Sequence, residues 1–314
     1  MADGMRILVT GGAGFIGSNI VEHLVSKDHS VVVMDDFFTG KKQNLAEFGD
    51  SIELKVGSIE NSALVGKCCE GVDYILHQAA VPSVSRSVKD PVKTTNVNVF
   101  GTLNVLLAAR DAGVKRVVLA SSSSVYGETA TLPKHEGMCP SPMSPYSSSK
   151  VINEQHAKQF YRLYGLETVC LRYFNVFGQR QDSKSEYAAV IPNFINAALE
   201  RRPPIIYGDG EQTRDFTYIA DVVEANMLAI KAGKEALGGA FNIAGGVQTS
   251  VNSLWAEVAR ITGTHSSPKH EKERPGDIKH SYADISKARN ILGFEPKYGL
   301  GKGLEKTIEW FRVS

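Results

Sequence analysis

Short β-branched runs alternate with longer amphipathic ones along the first half of the chain. Ile7-Leu-Val-Thr10 precedes a helical stretch from Ser18 to Asp28, Val31-Val-Val-Met34 follows, and after a loop come Asn61 to Glu70 and Val72-Asp-Tyr-Ile-Leu76. The rhythm continues through Val92 to Ala112, Arg116-Val-Val-Leu-Ala120, Tyr146 to Tyr164 and Glu167-Thr-Val-Cys-Leu171. Near-continuous apolar strands separated by helices describe a parallel sheet covered on both faces. The expected fold class is therefore α/β, a doubly wound parallel sheet.

After about Phe174 the rhythm loosens into Arg201-Arg-Pro-Pro204, a Gly208-Asp-Gly210 turn and a polar, basic stretch from Thr262 to Lys279. We read residues 1–175 as one domain and 176–314 as a smaller mixed α/β substrate-facing domain. The helix-like and strand-like segment at about 215–245 is expected to pack back on the main sheet. No internal repeat or low-complexity tract is visible.

Lys+Arg 35 against Asp+Glu 34 leaves a net charge of +1 in 314 residues, so no overall field favours nucleic acid or an anionic membrane, and any anion needs a local site. Gly 29, Pro 12 and 42% hydrophobic residues exclude collagenous, disordered and disulfide-scaffold classes. The four cysteines show no CxxC or metal spacing, so no metal is expected and a reducing cytoplasm is the simplest compartment. No basic n-region opens the chain and no run of about 18 apolar residues occurs, so neither secretion nor a membrane span is expected.

Gly11-Gly12-Ala13-Gly14-Phe15-Ile16-Gly17 follows the first strand and opens the first helix. Backbone N–H groups of such a turn and the helix N-terminus can face a pyrophosphate. A bare glycine pattern is a tight turn in many proteins; its context makes it specific. Asp35 ends the second strand 18 residues beyond Gly17, where a carboxylate can accept ribose hydroxyls. With Asp36 it disfavours a 2′-phosphate, pointing to NAD rather than NADP, although Lys41 and Lys42 soften that argument. Ser58-Ile59 and Gln78-Ala79-Ala80 follow later strands, at the sheet edge where doubly wound folds bind ligands.

Tyr146 and Lys150 stand four residues apart, hence on one helical face. Upstream, Ser121-Ser-Ser-Ser124-Val-Tyr126 ends a strand and brings hydroxyls to the same sheet edge. A phenol with an ordinary pKa of about 10 is a poor base at neutrality unless positive charge stabilises the phenolate. One cation about 6 Å away at an effective dielectric of about 20 contributes roughly 3 kcal/mol. The Lys150 ammonium together with an oxidised nicotinamide would thus bring Tyr146 within range of abstracting an alcohol proton.

These elements, with Arg172-Tyr-Phe-Asn175-Val-Phe-Gly178, resemble the extended short-chain dehydrogenase/reductase family, a Rossmann-fold group, and within it the UDP-sugar 4-epimerases. Tyr187-Ala-Ala-Val190-Ile-Pro192, Tyr207-Gly-Asp-Gly210, Arg214-Asp-Phe-Thr-Tyr218 and Arg274-Pro-Gly-Asp277 extend the likeness over essentially the whole chain, nearest to the UDP-N-acetylglucosamine 4-epimerases. The resemblance implies Tyr146 as base, Lys150 as its electrostatic partner and ribose ligand, and Ser122, or Ser123, as the serine bonded to the sugar hydroxyl. It places Asn98 opposite the cofactor, and Asn175, Val190, Tyr207, Arg214, Arg274 and Asp277 around a uridine diphosphate. Ser58 departs from the pattern, which usually has an aspartate near the adenine. A homodimer is implied by the same resemblance.

Related 4,6-dehydratases carry an Asp-Glu pair where this chain has Ser123 and Ser124, which favours epimerisation, a reaction that needs a single base. Hexose-restricted epimerases have a tyrosine at the position of Ser281, so UDP-GlcNAc and UDP-GalNAc are expected substrates alongside UDP-glucose and UDP-galactose. Ser83, Arg86 and Ser87 can also reach the hexose. Arg86 keeps a UDP-glucuronate 4-epimerase or decarboxylase open, and a non-catalytic NAD-sensing regulator is the alternative from another class.

Overall fold

A computed structural model describes residues 4–182, 189–273 and 279–313. Its central sheet has seven parallel strands: β1 (Arg6–Thr10), β2 (Ser30–Asp35), β3 (Ile52–Val56), β4 (Tyr74–His77), β5 (Arg116–Ser122), β6 (Glu167–Tyr173) and β7 (Gly239–Ile243). They lie in the order β7-β6-β5-β4-β1-β2-β3. The order reverses between β1 and β4, and a doubly wound sheet opens its ligand crevice at such a switch point. Apolar residues of β1 point alternately into two cores. Ile7 and Val9 join the one that contains α1 (Phe15–Val25), whereas Leu8 joins the other, with Val32 and Ile75. Burial on both faces explains why these strands read as unbroken apolar runs.

Helix α2 (Pro145–Tyr164) starts at a Ser144–Ser147 capping box with Pro145 in its first turn and ends at Gly165, whose φ is 72°. It packs along β5 and β6. The segment Val92 to Ala112, expected as one helix, begins one residue earlier and contains a π-helical stretch over Asn96–Gly101. A π turn rotates the residues after it relative to an unbroken α-helix.

Beyond β6 the chain forms short strand pairs, with Thr213–Asp215 antiparallel to Gln248–Ser250 and Ile205–Tyr207 parallel to Lys269–Glu271. Helix α3 (Ile219–Lys231) packs against α1, and β7 pairs with β6. Among the described residues no helix is long and apolar enough to cross a membrane.

Candidate active site

At the carboxyl ends of β1, β2, β4 and β5 lies a cavity of about 380 Å³. Its wall includes Gly11, Gly14, Phe15, Ile16, Gly17, Asp35, Asp36, Ser58, Ile59, Gln78, Ala79, Ala80 and Ser83, and also Tyr146 and Lys150. The glycine turn is shaped by contacts that only hydrogen tolerates. A Cβ on Gly17 would lie 2.1 Å from the Gly11 carbonyl oxygen, and one on Gly11, at φ +68°, would lie 2.7 Å from Ala79 N. Asp35 accepts the Ala13 amide at 2.9 Å and the Phe37 amide at 2.8 Å, while burial raises its carboxyl above the usual range.

Tyr146 sits one helical turn from Lys150, whose Nζ lies 5.7 Å from the phenol ring centroid and donates to the Ala120 carbonyl at 2.8 Å. The Ser122 hydroxyl lies near the Tyr146 phenol. Burial pushes Tyr146 up, and the neighbouring Ser122 hydroxyl opposes that rise. Lys150 is pushed down to about 8 by burial, opposed by Cys170 and Glu154. Ser122 ends β5 and its Oγ also accepts the Ser124 amide at 3.1 Å, whereas Ser123 opens the 3-10 turn Ser123–Tyr126. Of the two serines left open by the sequence, Ser122 is the one whose hydroxyl acts on Tyr146.

Asn98 stands one layer behind the cavity. It is fully buried, accepts the Val81 amide at 2.7 Å and donates to Ser149 Oγ at 3.1 Å, so it holds a piece of wall instead of forming it. Asn175, Arg214 and Ser281 form a second group around Thr213–Asp215: Asn175 donates to the Asp215 carbonyl at 3.0 Å, and the Ser281 amide donates to the Thr213 carbonyl at 3.1 Å. Arg214 donates to the carbonyls of Thr213 and Lys279. Tyr207 is tied to the same segment, its carbonyl accepting Gln212 Nε2 at 2.7 Å. Val190 begins helix Val190–Leu199, directly after Ala189, which reaches the cavity wall. Arg274 and Asp277 lie outside the described residues.

A family model, the NAD dependent epimerase/dehydratase family, matches residues 7–244. A UDP-glucose 4-epimerase from Mycolicibacterium smegmatis is 41% identical, covering 98% of this chain and 99% of its own. A solved UDP-N-acetylglucosamine 4-epimerase from Methanobrevibacter ruminantium M1, in complex with UDP-N-acetylmuramic acid, superposes with a TM-score of 0.95 at 38% identity, over 99% of both chains. The chain belongs to the NAD dependent epimerase/dehydratase family. Family members also include a solved UDP-glucuronic acid 4-epimerase from Bacillus cereus, bound to UDP-glucuronic acid and NAD, with a TM-score of 0.90 at 32% identity over 98% of this chain and 99% of that one.

As an enzyme of this family the chain uses NAD, and its residues fit that cofactor. The side-chain-free turn at Gly11 and Gly17 lies in the cavity wall where helix α1 begins, and Asp35 stands at the end of β2. The cavity wall also contains Arg180, Gln181 and Asp182, which sequence reasoning missed. Arg180 pairs with Glu22 of α1 at 2.6 Å and with Glu47, and Lys41 pairs with Asp182 at 2.8 Å. These contacts join residues 133 to 158 positions apart, a separation that leaves no local sequence signal. Among the described residues no group of three His, Cys, Asp or Glu side chains is arranged to hold a metal.

Proposed function

We propose that the chain catalyses C4 epimerisation of UDP-sugars, accepting UDP-GlcNAc and UDP-GalNAc as well as UDP-glucose and UDP-galactose. One observation carries the reaction: Tyr146, near Ser122 and one turn from Lys150, faces the cofactor cavity. The Ser122 hydroxyl orients the C4 hydroxyl, and Tyr146 takes its proton while the Lys150 ammonium favours the phenolate. NAD, when bound, supplies a hydride acceptor and returns the hydride. After the 4-keto sugar has turned its other face, Tyr146 gives the proton back. Ser123 and Ser124, in the turn after Ser122, offer no carboxylic acid for the second proton transfer that dehydration needs.

Arg214 with Asn175, Val190, Tyr207, Arg274 and Asp277 holds the uridine diphosphate, a planar guanidinium being suited to it. Ser83 and Ser281 face the hexose. Support for N-acetylated sugars is the small, buried side chain of Ser281 beside the Arg214 strand. In this reading residues 1–175 with the segment 215–245 carry the cofactor and 176–314 the nucleotide sugar, in a cytoplasmic homodimer. Phe100 and Ile152, exposed on neighbouring helices, suit such a contact, and sedimentation velocity checks it.

A uronate reading has one specific observation behind it: Arg86 lies in the cavity wall, where a guanidinium can meet a carboxylate. Purified protein assayed side by side on UDP-GlcNAc, UDP-glucose and UDP-glucuronate decides between them. Turnover of the first two supports the proposal, and turnover of UDP-glucuronate alone refutes it. Full turnover by Tyr146→Phe would refute the mechanism.

A further inference from the structure

Three consecutive residues at the end of β5 face three residues of α2 spaced four apart. Lys150 Nζ donates to the Ala120 carbonyl at 2.8 Å, Glu154 Oε1 accepts the Ser121 hydroxyl at 2.5 Å, and Tyr146 lies near the Ser122 hydroxyl. Residues i, i+4 and i+8 share one helical face, so α2 runs along the strand end as a clamp.

Glu154 is itself fixed from β6. Arg172 donates Nε to Oε1 at 2.8 Å and Nη2 to Oε2 at 2.7 Å, while its Nη1 donates to the Tyr126 hydroxyl at 2.8 Å. Tyr126 donates onward to Asn242 Oδ1 at 2.7 Å and closes the 3-10 turn that leaves Ser122. The strand end before Ser122 and the turn after it are thus both tied to one ion pair, whose side chains are 5% and 7% exposed. A pair buried this deeply gains little net stability over apolar residues of the same volume, because desolvation offsets the attraction. Its geometry, not its energy, is what distinguishes it.

We propose that Ser121 and Glu154 are positioning residues for the Ser122–Tyr146 pair. The Glu154 carboxylate, held by Arg172, fixes Ser121 and thereby presents the Ser122 hydroxyl to the Tyr146 oxygen. Its consequence for turnover rests on the reaction proposed above, and its consequence for the ionisation of Tyr146 does not. The nearby Ser122 hydroxyl opposes the effect of burial on Tyr146. A strand end freed at Ser121 lets that hydroxyl drift from the phenol, which becomes a weaker acid. Lys150, Glu154, Arg172 and Cys170 face this pair from α2 and β6, and His77 from β4. Burial holds His77 neutral, pushed down to about 3, and raises the Cys170 thiol, so neither changes charge across the neutral range.

Ser121→Ala removes the hydroxyl and leaves the Glu154–Arg172 pair in place, whereas Ser121→Thr keeps a hydroxyl there. In NAD-loaded protein, the Tyr146 phenolate is titrated by ultraviolet difference absorbance, with Tyr146→Phe in each background as the subtraction. In Ser121→Ala the midpoint is expected to rise by about half a unit or more, and in Ser121→Thr to return toward wild type. Turnover of UDP-GlcNAc by Ser121→Ala is expected to fall about tenfold in kcat with little change in KM. Glu154→Gln combined with Arg172→Gln removes both charges together, leaving no lone buried ion, and should raise the midpoint as Ser121→Ala does. A Ser121→Ala midpoint equal to that of wild type, in protein that retains NAD and melts normally, overturns the positioning role whatever turnover does. A wild type whose Tyr146 titrates with the Ser121 dependence above, yet which turns over no UDP-sugar, overturns the reaction instead.

Discussion

The Asp35 carboxylate accepts the Ala13 amide at 2.9 Å, so the end of β2 is bonded directly to the glycine turn that follows β1. One residue therefore shapes the turn and, on the proposed reading, also holds the ribose of the dinucleotide. Gly40 crowds its far side, a Cβ there lying 2.7 Å from Oδ1. Asp35→Asn keeps the shape but exchanges one acceptor oxygen for a donor, facing an amide that also donates. Leaving such a buried group unsatisfied costs about 1–3 kcal/mol, so NAD should be retained about 10- to 100-fold less tightly. Cofactor remaining after gel filtration measures it.

Tyr146→Phe removes the proton acceptor and little volume. A positioned general base is worth about 10²- to 10⁴-fold, so kcat on UDP-GlcNAc should drop by that factor while bound NAD stays at the wild-type level. Ser122→Ala should cost less, because it removes an orienting bond and leaves the base. Equal losses in the two variants, measured at saturating substrate, would count against separate roles.

Lys150 gives a pH dependence whose two signs differ. Burial pushes it down to about 8, so above that pH the ammonium that favours the Tyr146 phenolate is lost and kcat should decline. In the unfolded chain the same group keeps its proton to 10.5, so above pH 8 the unfolded state binds more protons and this group's contribution to stability grows with pH. Cys69 runs the other way, because burial raises it from 9.0 to about 12 and its contribution is lost only above pH 9. Between pH 8 and 9, kcat should therefore fall without a parallel fall in melting temperature. A joint fall, followed by activity and thermal unfolding in the same buffers, would show that unfolding is responsible.

Much of this was legible in the chain because the relevant signals are local. Ile7 to Val9 and Val31 to Met34 read as strands since both faces are buried, and Gly11 to Gly17 reads as a cradle since the turn permits no Cβ. Tyr146 and Lys150 are linked by helical spacing alone. Contacts across the fold carry no such signal. Glu154 meets Ser121 33 positions away, and Arg180 meets Glu22 158 positions away. Arg172 stands in a recognisable motif, yet its partner becomes apparent only when α2 lies on β6. Asn98, on the π stretch, accepts the amide of Val81 17 positions away, another contact without a local signal.

Two ion-pair sites beside the cavity should differ in worth. Lys41 and Asp182 have half-exposed side chains, and such a surface pair contributes about 0–1 kcal/mol. Arg180 is 10% exposed and bridges Glu22 to Glu47 beneath the loop it belongs to. Lys41→Ala should change NAD retention less than about fivefold. Arg180→Ala also strips packing and leaves two carboxylates without their partner, so its loss should be the larger. Comparing cofactor off-rates in the two variants ranks them, and the reverse order would make the Lys41–Asp182 pair the stronger tie.

On the proposed reading, specificity at the sugar turns on Ser281. It is 6% exposed, its amide is bonded to Thr213, and its neighbour His280 bonds the Thr213 hydroxyl at 2.9 Å, so its backbone is fixed against the strand that carries Arg214. A fixed backbone cannot retreat, and the bulk of a larger side chain must then enter the sugar pocket or displace its lining. Ser281→Tyr is accordingly expected to lower kcat/KM for UDP-GlcNAc by about 10- to 100-fold, the scale on which a closed pocket rejects an added group. UDP-glucose, which lacks the 2-acetamido group, should be affected only a few-fold. The ratio of the two kcat/KM values is the quantity to measure, since it cancels losses from partial misfolding. A ratio unchanged by the substitution would mean that the acetamido group is accommodated elsewhere, and that Ser281 does not set the choice of sugar.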